Sequence, residues 1–373
     1  MNVIIVNCFD TYEHRVDLVY DFFVQAGHEV LIVQSDFRHF KKIKRTDTKK
    51  DFMFIPTKPY YKNLSIDRMY SHYLFAKKAF ECIETMKPDL LYVMLPPNSL
   101  AKFANKYKMK YPNTKLYFDI IDLWPETMPL GKIEILPPFT SWRRLRDKNL
   151  KNADYIITEC DLYREVLNKQ LKKINHTTLH LARNKGSFLS KPNLEINIIN
   201  LCYLGSINNI IDIPFVVDII SRINKIKPVC LHIIGDGENR DTLISEVKKT
   251  GAKVEYYGNI YDSVQKQEIF DVCHFGLNIM KESVCVGLTM KSIDYFEAGL
   301  PIINNIRHDT IDIVSKYKTG YNINNKNIDV ICKQIGEVEE KDLMLMRKNS
   351  RSVFELFFSR EAFNQKLNEL INL

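Results

Sequence analysis

The stretch "VGLTMKSIDYFEAGLPIIN", residues 286–304, sets a glycine and a threonine ahead of a short helical pattern, then closes it with "AGLP" before an apolar strand. Gly287, Leu288 and Thr289 fall before or at the helix start, where backbone N–H groups have no acceptor one turn back. Lys291 and Asp294, three apart, share one helix face. Free amides and a lysine suit a diphosphate, and a carboxylate one turn on suits ribose hydroxyls. The ordinary alternative is an i, i+3 surface pair.

Outward from this stretch, short β-rich apolar runs alternate with amphipathic helical stretches, the pattern of βαβ units and parallel sheets. The strands expected in the first half are "NVIIVN", "EVLIVQ", "FMFIP", "DLLYVM", "KLYFDII" and "DYIIT"; those in the second are "INLCYLG", "VCLHIIG", "KVEYYGN", "HFGLNIM" and "LPIINN". A helix near 16–26 is expected to end at Gly27 in a left-handed cap. The polar segment "RNKGSFLSKPNLE", residues 183–195, is the natural linker. A chain of 373 residues exceeds what one core supports. The expected fold class is therefore α/β, with two doubly wound domains facing each other across a cleft at the carboxyl ends of their strands.

Composition narrows the classes. Apolar residues make up 45% and charged residues 26%, at the globular average, with no internal repeat. The start "MNVIIVNCFD" is too short and polar for a signal peptide, and no window reaches the roughly 18 apolar residues of a membrane span. The eight cysteines are scattered singly without a CxxC pair, as in a reduced cytoplasmic protein. Residues 1–186 hold 31 Lys and Arg against 21 Asp and Glu, and residues 187–373 hold 22 against 24. That asymmetry suggests an anionic partner for the first half, nucleic acid or a membrane surface. No nucleic-acid recognition module is visible. Basic segments with aromatics, at 39–50, 102–115 and 140–151, suit anionic lipid headgroups at about 1 kcal/mol per charge near the surface.

Two further strand ends carry glycine before a helix, "CYLGSINNIID" with Gly205 and "HIIGDGENRDTL" with Gly235. Each lets backbone approach a ligand. Neither is a GxGxxG fingerprint, and no P-loop is present, so dinucleotide and ATPase readings fall away. In the first half, Asp122, Trp124, Pro125 and Glu126 stand at a strand end, a functional position in such folds. Asp119 and Asp122 lie three apart on a presumed strand, point to opposite faces and form no chelate, so no metal is expected.

In order and spacing, "CYLGSI", "HIIGDGENRDTLISEVKKTGAKVEYYGNI", "DVCHFGLNIM" and "KSIDYFEAGLPII" resemble the retaining glycosyltransferases of family 4, which have the GT-B fold. "YFDIIDLWPETMPL" and "KNADYIITECDLYREVL" resemble the branch that builds capsular and exopolysaccharides, and "FFSREAFNQKLNELI" its closing helix. The resemblance implies an acceptor domain at 1–186, a nucleotide-sugar domain at 187–358, and a helix at 359–373 that crosses back to the first. It implies a cytoplasmic enzyme, peripheral at the inner membrane face, that transfers a sugar from a UDP-linked donor to a glycan or lipid-linked acceptor without a cofactor. Gly205, Ser206, Gly235, Asn259, Ile260, Leu288, Thr289, Lys291 and Asp294 would hold the donor. Lys291 would neutralise the departing diphosphate, and Asp122 or Glu126 would orient or deprotonate the acceptor hydroxyl. His14 and Trp124 would line the acceptor side.

The chain also departs from the family. The ribose-binding Glu falls on Asp294, a donor-sugar Glu falls on Val286 with Glu282 the nearest acid, and the diphosphate-holding Arg and Lys beyond "YxG" give way to Ser206 and uncharged residues. These losses keep open a non-catalytic partner subunit or scaffold, and a UDP-GlcNAc 2-epimerase-like enzyme shares the fold. The sequence leaves the oligomeric state unknown.

Overall fold

The computed structural model describes residues 1–128, 130–186 and 190–371. The chain divides into two compact units, one formed by Met1–Ala182 with Phe363–Leu373 and the other by Arg183–Ala362. The division thus falls four residues before the expected boundary at 186, and the returning segment starts at 363 rather than 359. Ser187, Phe188 and Leu189 of the expected linker, Pro129 of the "DLWPETMPL" segment, and residues 372–373 lie outside the described residues.

The first unit holds β1 (Asn2–Asn7), β2 (Glu29–Ser35), β3 (Phe37–Arg38), β4 (Ile43–Lys44), β5 (Phe52–Ile55), β6 (Leu90–Leu95), β7 (Lys115–Ile120), β8 (Tyr155–Thr158) and β9 (Asn175–Thr178). Seven of these make a parallel sheet in the order β5-β2-β1-β6-β7-β8-β9, while β3 and β4 form a separate antiparallel hairpin. Strand β6 is buried at every position, as expected where helices cover both faces of a parallel sheet. The first helix, Glu13–Gln25, ends before Gly27 at φ +79°, the left-handed cap expected from sequence. The last helix, Arg360–Ile371, contributes Phe363, Leu367 and Leu370 to this unit's core beside Val16, Val19 and Phe23.

The second unit holds β10 (Ile199–Leu204), β11 (Val229–Ile234), β12 (Lys253–Gly258), β13 (Phe275–Asn278), β14 (Ile302–Asn304) and β15 (Gly320–Asn322), parallel in the order β12-β11-β10-β13-β14-β15. Every expected strand is present. The structure adds β9, β15 and the β3–β4 hairpin. In both units the chain fills one side of the sheet from its first strand and then jumps back across it. The connections therefore diverge above the carboxyl ends of β1 and β6 in the first unit, and of β10 and β13 in the second. A crevice opens at such a point and is where ligands of these folds bind.

Candidate functional site

The second unit's crevice is a cavity of about 460 Å³. It is lined by Gly205 and Ser206 from the loop after β10, by Val286 and Leu288 from the loop after β13, and by Thr289, Lys291 and Asp294 from the helix Met290–Glu297 and its cap. The structure thus gathers six of the nine expected donor-binding residues around one space.

Local chemistry explains the helix start. Thr289 has extended backbone angles and caps the helix by accepting from the Ser292 N–H at 3.2 Å. Its own hydroxyl donates to Asn278 Oδ1 at 2.7 Å, fixing the cap to the end of β13. The carbonyl of Gly287 accepts from both the Thr310 amide (3.0 Å) and hydroxyl (2.7 Å), which pins the preceding loop. The amides of Met290 and Lys291 have no acceptor one turn back and stand at the positive end of the helix dipole.

Lys291 is half buried, with Nζ 4.3 Å from the centre of the Tyr203 ring. It has no ion-pair partner among the described residues. Burial pushes its pKa down to about 8. An uncompensated ammonium on a cavity wall favours an anion there. Asp294 lies 3.5 Å from Arg183 Nε, and burial raises its pKa against that neighbour's pull. Sequence reasoning treated Arg183 as linker and passed over Tyr203, whose ring carries Lys291.

Gly205 has φ +108° and open space where a side chain would start, so its backbone faces the cavity freely. Gly235 has another role. A Cβ there would sit 2.1 Å from the Gly205 carbonyl oxygen, so its missing side chain admits the Gly205 loop rather than a ligand. Gly205 N–H also donates to the Ile234 carbonyl at 2.8 Å. Gly235→Ala should therefore lower stability by roughly 2–4 kcal/mol and displace the Gly205 loop. A urea titration beside a ligand-binding measurement checks both.

Besides Gly235, three donor-side expectations fall outside the cavity. Asn259 and Ile260 follow β12 at the sheet's edge and do not line it. Glu282 is exposed, pairs with Arg307 at 3.2 Å and lines a different cavity of about 390 Å³ with Asn304, Asn305 and Asn322. It is not placed to substitute for the glutamate that Val286 replaces.

In the first unit, Asp122 accepts from Trp124 Nε1 at 2.6 Å, from the Tyr12 hydroxyl at 3.5 Å and from the Thr127 hydroxyl. Burial raises its pKa despite these donors. Trp124 is buried, with the Arg68 guanidinium 4.4 Å over its ring. Glu126 has both oxygens engaged: Oε1 accepts from Arg143 Nε (2.9 Å) and Arg146 Nη2 (2.8 Å), and Oε2 from Arg146 Nη1 (2.9 Å). Burial works to raise its pKa, but the Arg146 bonds and charge prevail and hold it low. A carboxylate so engaged is a poor proton acceptor, and its place is structural. The His14 ring is taken up by the Ala182 carbonyl at 2.7 Å. Among the described residues no group of three or more His, Cys, Asp or Glu side chains is placed to hold a metal ion.

Comparison with known proteins gives the class first. Over essentially its full length the chain superposes on sucrose-phosphate synthase from Thermosynechococcus elongatus, with TM-score 0.70, 12% identity and coverage of 100% of this chain and 98% of the other. HepE of Anabaena in complex with UDP and glucose gives 0.66 and 11% (100% and 99% covered), and WaaG, a glycosyltransferase involved in lipopolysaccharide biosynthesis, 0.65 and 11% (100% and 99%). Two Rossmann-like domains matching these structures define the GT-B fold. The second step is local: residues 199–341, spanning β10 to the start of the helix Glu340–Val353, match the family model described as "Glycosyl transferases group 1". No curated protein matches the chain in sequence.

Proposed function

We propose that the second unit binds a nucleotide sugar, UDP-linked, at the β10–β13 crevice, and that the chain transfers its glycosyl group to a hydroxyl of a glycan or lipid-linked acceptor. The observation that carries this reading is Lys291: an ammonium without a carboxylate partner among the described residues, half buried beside a helix N-terminus in the crevice where such sheets bind ligands. The group 1 glycosyltransferase match over the same unit supports it, as do HepE structures in complex with UDP and with UDP-glucose.

In this reading the bond between the anomeric carbon and the β-phosphate oxygen breaks while the acceptor oxygen bonds to that carbon on the same face, with retention. The acceptor proton passes to the departing phosphate. Lys291 and the amides of residues 288–290 stabilise the charge that develops on the diphosphate, the task for which preorganised donors are most effective. No metal is assigned to this step. Asp294 accepts from the ribose hydroxyls, and Asp122 orients the acceptor.

Titration calorimetry with UDP tests the site. Asp294→Ala should weaken binding about 10- to 100-fold, the effect of losing hydrogen bonds to a charged group. Unchanged affinity would falsify the assignment. One observation favours a second reading, a non-catalytic partner subunit: apolar Val286 forms part of the wall, and Lys291 is the only cation among the described residues lining the cavity. Glycosyl transfer by the purified chain to a lipid-linked acceptor excludes that alternative. Incubation with donor alone separates transfer from epimerisation.

A further inference from the structure

The cavity of about 390 Å³ in the second unit lies beyond the donor crevice, at the carboxyl ends of β14 and β15, where Asn304 and Asn322 line it. Its volume is within the roughly 300–1,000 Å³ of small-molecule sites. No residue lines both cavities, although Ile211 walls one and Asp212, next in the chain, walls the other. Lys281 stands at the same divide, between Met280 of the donor crevice and Glu282 of this cavity. Its amide donates to the Ile210 carbonyl at 2.9 Å, which ties together the two loops that separate the spaces.

The inner wall is fixed in advance. Asn304 is fully buried and joined to Asn322 at 2.9 Å. Asn305 is held by Met280 at both ends of its amide: Nδ2 donates to the Met280 carbonyl at 2.8 Å, and Oδ1 accepts from the Met280 N–H at 2.9 Å. Side chains so held lose little freedom when a ligand arrives. Other lining groups keep bonding capacity. Asp212 uses Oδ1 to cap the helix Ile213–Asn224, accepting from the Phe215 amide at 3.1 Å, and its Oδ2 has no partner among the described residues. The side chain of Asn325 has no hydrogen-bond partner, and Lys326 no ion-pair partner, among the described residues. Glu282 and Arg307, both exposed, face each other at 3.2 Å.

The lining defines its ligand. Charge balances, two carboxylates against two cations, so neither an anion nor a cation is selected. Ammonium, amide and carboxylate set donors and acceptors side by side, and a hydroxyl, which both donates and accepts, matches either kind. Phe215 and Ile311 add an apolar face on which the C–H groups of a sugar ring can pack while its hydroxyls reach the polar groups. We propose that this cavity is a second carbohydrate site, which holds a neutral pyranose, free or at the end of a glycan, without transferring it. The ammonium and helix start assigned to the diphosphate line the other cavity, so a sugar here is bound and not activated. The inference stands apart from the donor-site reading, because it needs no nucleotide and no turnover.

Saturation-transfer difference NMR of the full chain, without nucleotide, tests it with glucose, galactose, N-acetylglucosamine, their methyl glycosides, maltose and lactose. At least one should receive saturation, and titration of that sugar gives its affinity. A methyl glycoside bound as tightly as its parent assigns the site to a glycan end, and one rejected assigns it to free sugar; both uphold the proposal. Asn325→Ala with Lys326→Ala, at exposed positions, should weaken binding about tenfold with circular dichroism unchanged. Asp212→Asn, which keeps the helix cap, should weaken it several-fold. Asp294→Ala, in the donor crevice, should bind the sugar as the wild type does, so failure of one site leaves the other standing. Four results would each overturn the proposal: silence from every sugar, affinity unmoved by the Asn325 and Lys326 changes, loss of sugar binding in Asp294→Ala, or displacement of the sugar by inorganic phosphate, the mark of an anion site.

Discussion

Lys291→Ala should reduce glycosyl transfer roughly 100- to 1,000-fold, the range found when one preorganised donor is removed from a developing negative charge. The loss should fall on donor binding as well as on turnover, because in the proposed site the ammonium faces the diphosphate both before and during its departure. Lys291→Arg should recover part of the rate. The wild-type pH dependence has a definite sign. Burial lowers the folded-state pKa to about 8 from the usual 10.5. Binding that requires the ammonium should therefore weaken as pH rises above about 8, by up to tenfold per unit, since one proton is linked. Stability runs the other way. The depressed pKa contributes stability that is present above 10.5 and lost as pH falls through about 8, where the charge must be held half buried. Lys291→Met should accordingly raise the melting temperature of the ligand-free chain at neutral pH while removing activity. Calorimetry and thermal melts across pH 6–10 read both, and a pH-independent UDP affinity would remove Lys291 from the anion site.

Arg15→Leu should destabilise the chain by about 3–5 kcal/mol, the cost of leaving a buried charge without its partner. Arg15 and Asp119 are 1% and 0% exposed, joined by bonds of 2.7 and 2.9 Å, with the Tyr92 hydroxyl adding a third donor to the carboxylate at 2.7 Å. Arg15 also reaches the Leu179 carbonyl and lies 5.6 Å from the Phe363 ring, so one guanidinium ties together the first helix, β7, the end of β9 and the returning segment. Replacing both partners, Arg15→Leu with Asp119→Leu, should recover a large share, because the uncompensated charge is then gone. Urea unfolding of the single and double variants decides it. A double variant as unstable as Arg15→Leu alone would mean that packing, not charge, sets the loss.

The sequence disclosed what local rules govern. Strands buried on both faces show as continuous apolar runs, so β1, β6, β10 and β11 are plain on inspection. The edge strands β9 ("NHTT") and β15 ("GYN") are polar or three residues long and carry no such signal. Thr289 is legible as a cap because its chemistry acts within three residues. The pairing of Glu126 is not legible in the sequence because its two arginines come 17 and 20 residues later in the chain and meet it only through the fold. The same holds for Gly235, whose need for a bare backbone arises from Gly205, thirty residues earlier. Asp119 lies on β7, but Asp122 follows the strand's end at Ile120, so strand alternation does not govern its direction.

Asn278, Asn304 and Asn322 stand level on β13, β14 and β15, and each amide donates to the next at 2.9 Å. Asn278 is also the residue that receives the Thr289 hydroxyl, and Asn322 grips Ser315 and the Ile311 carbonyl on the helix Asp309–Tyr317. This row of side chains behaves as a tie-rod. A displacement of the helix Met290–Glu297 would be carried along this row of hydrogen bonds to the last strand of the sheet, so that the rim and the cavity wall should move together.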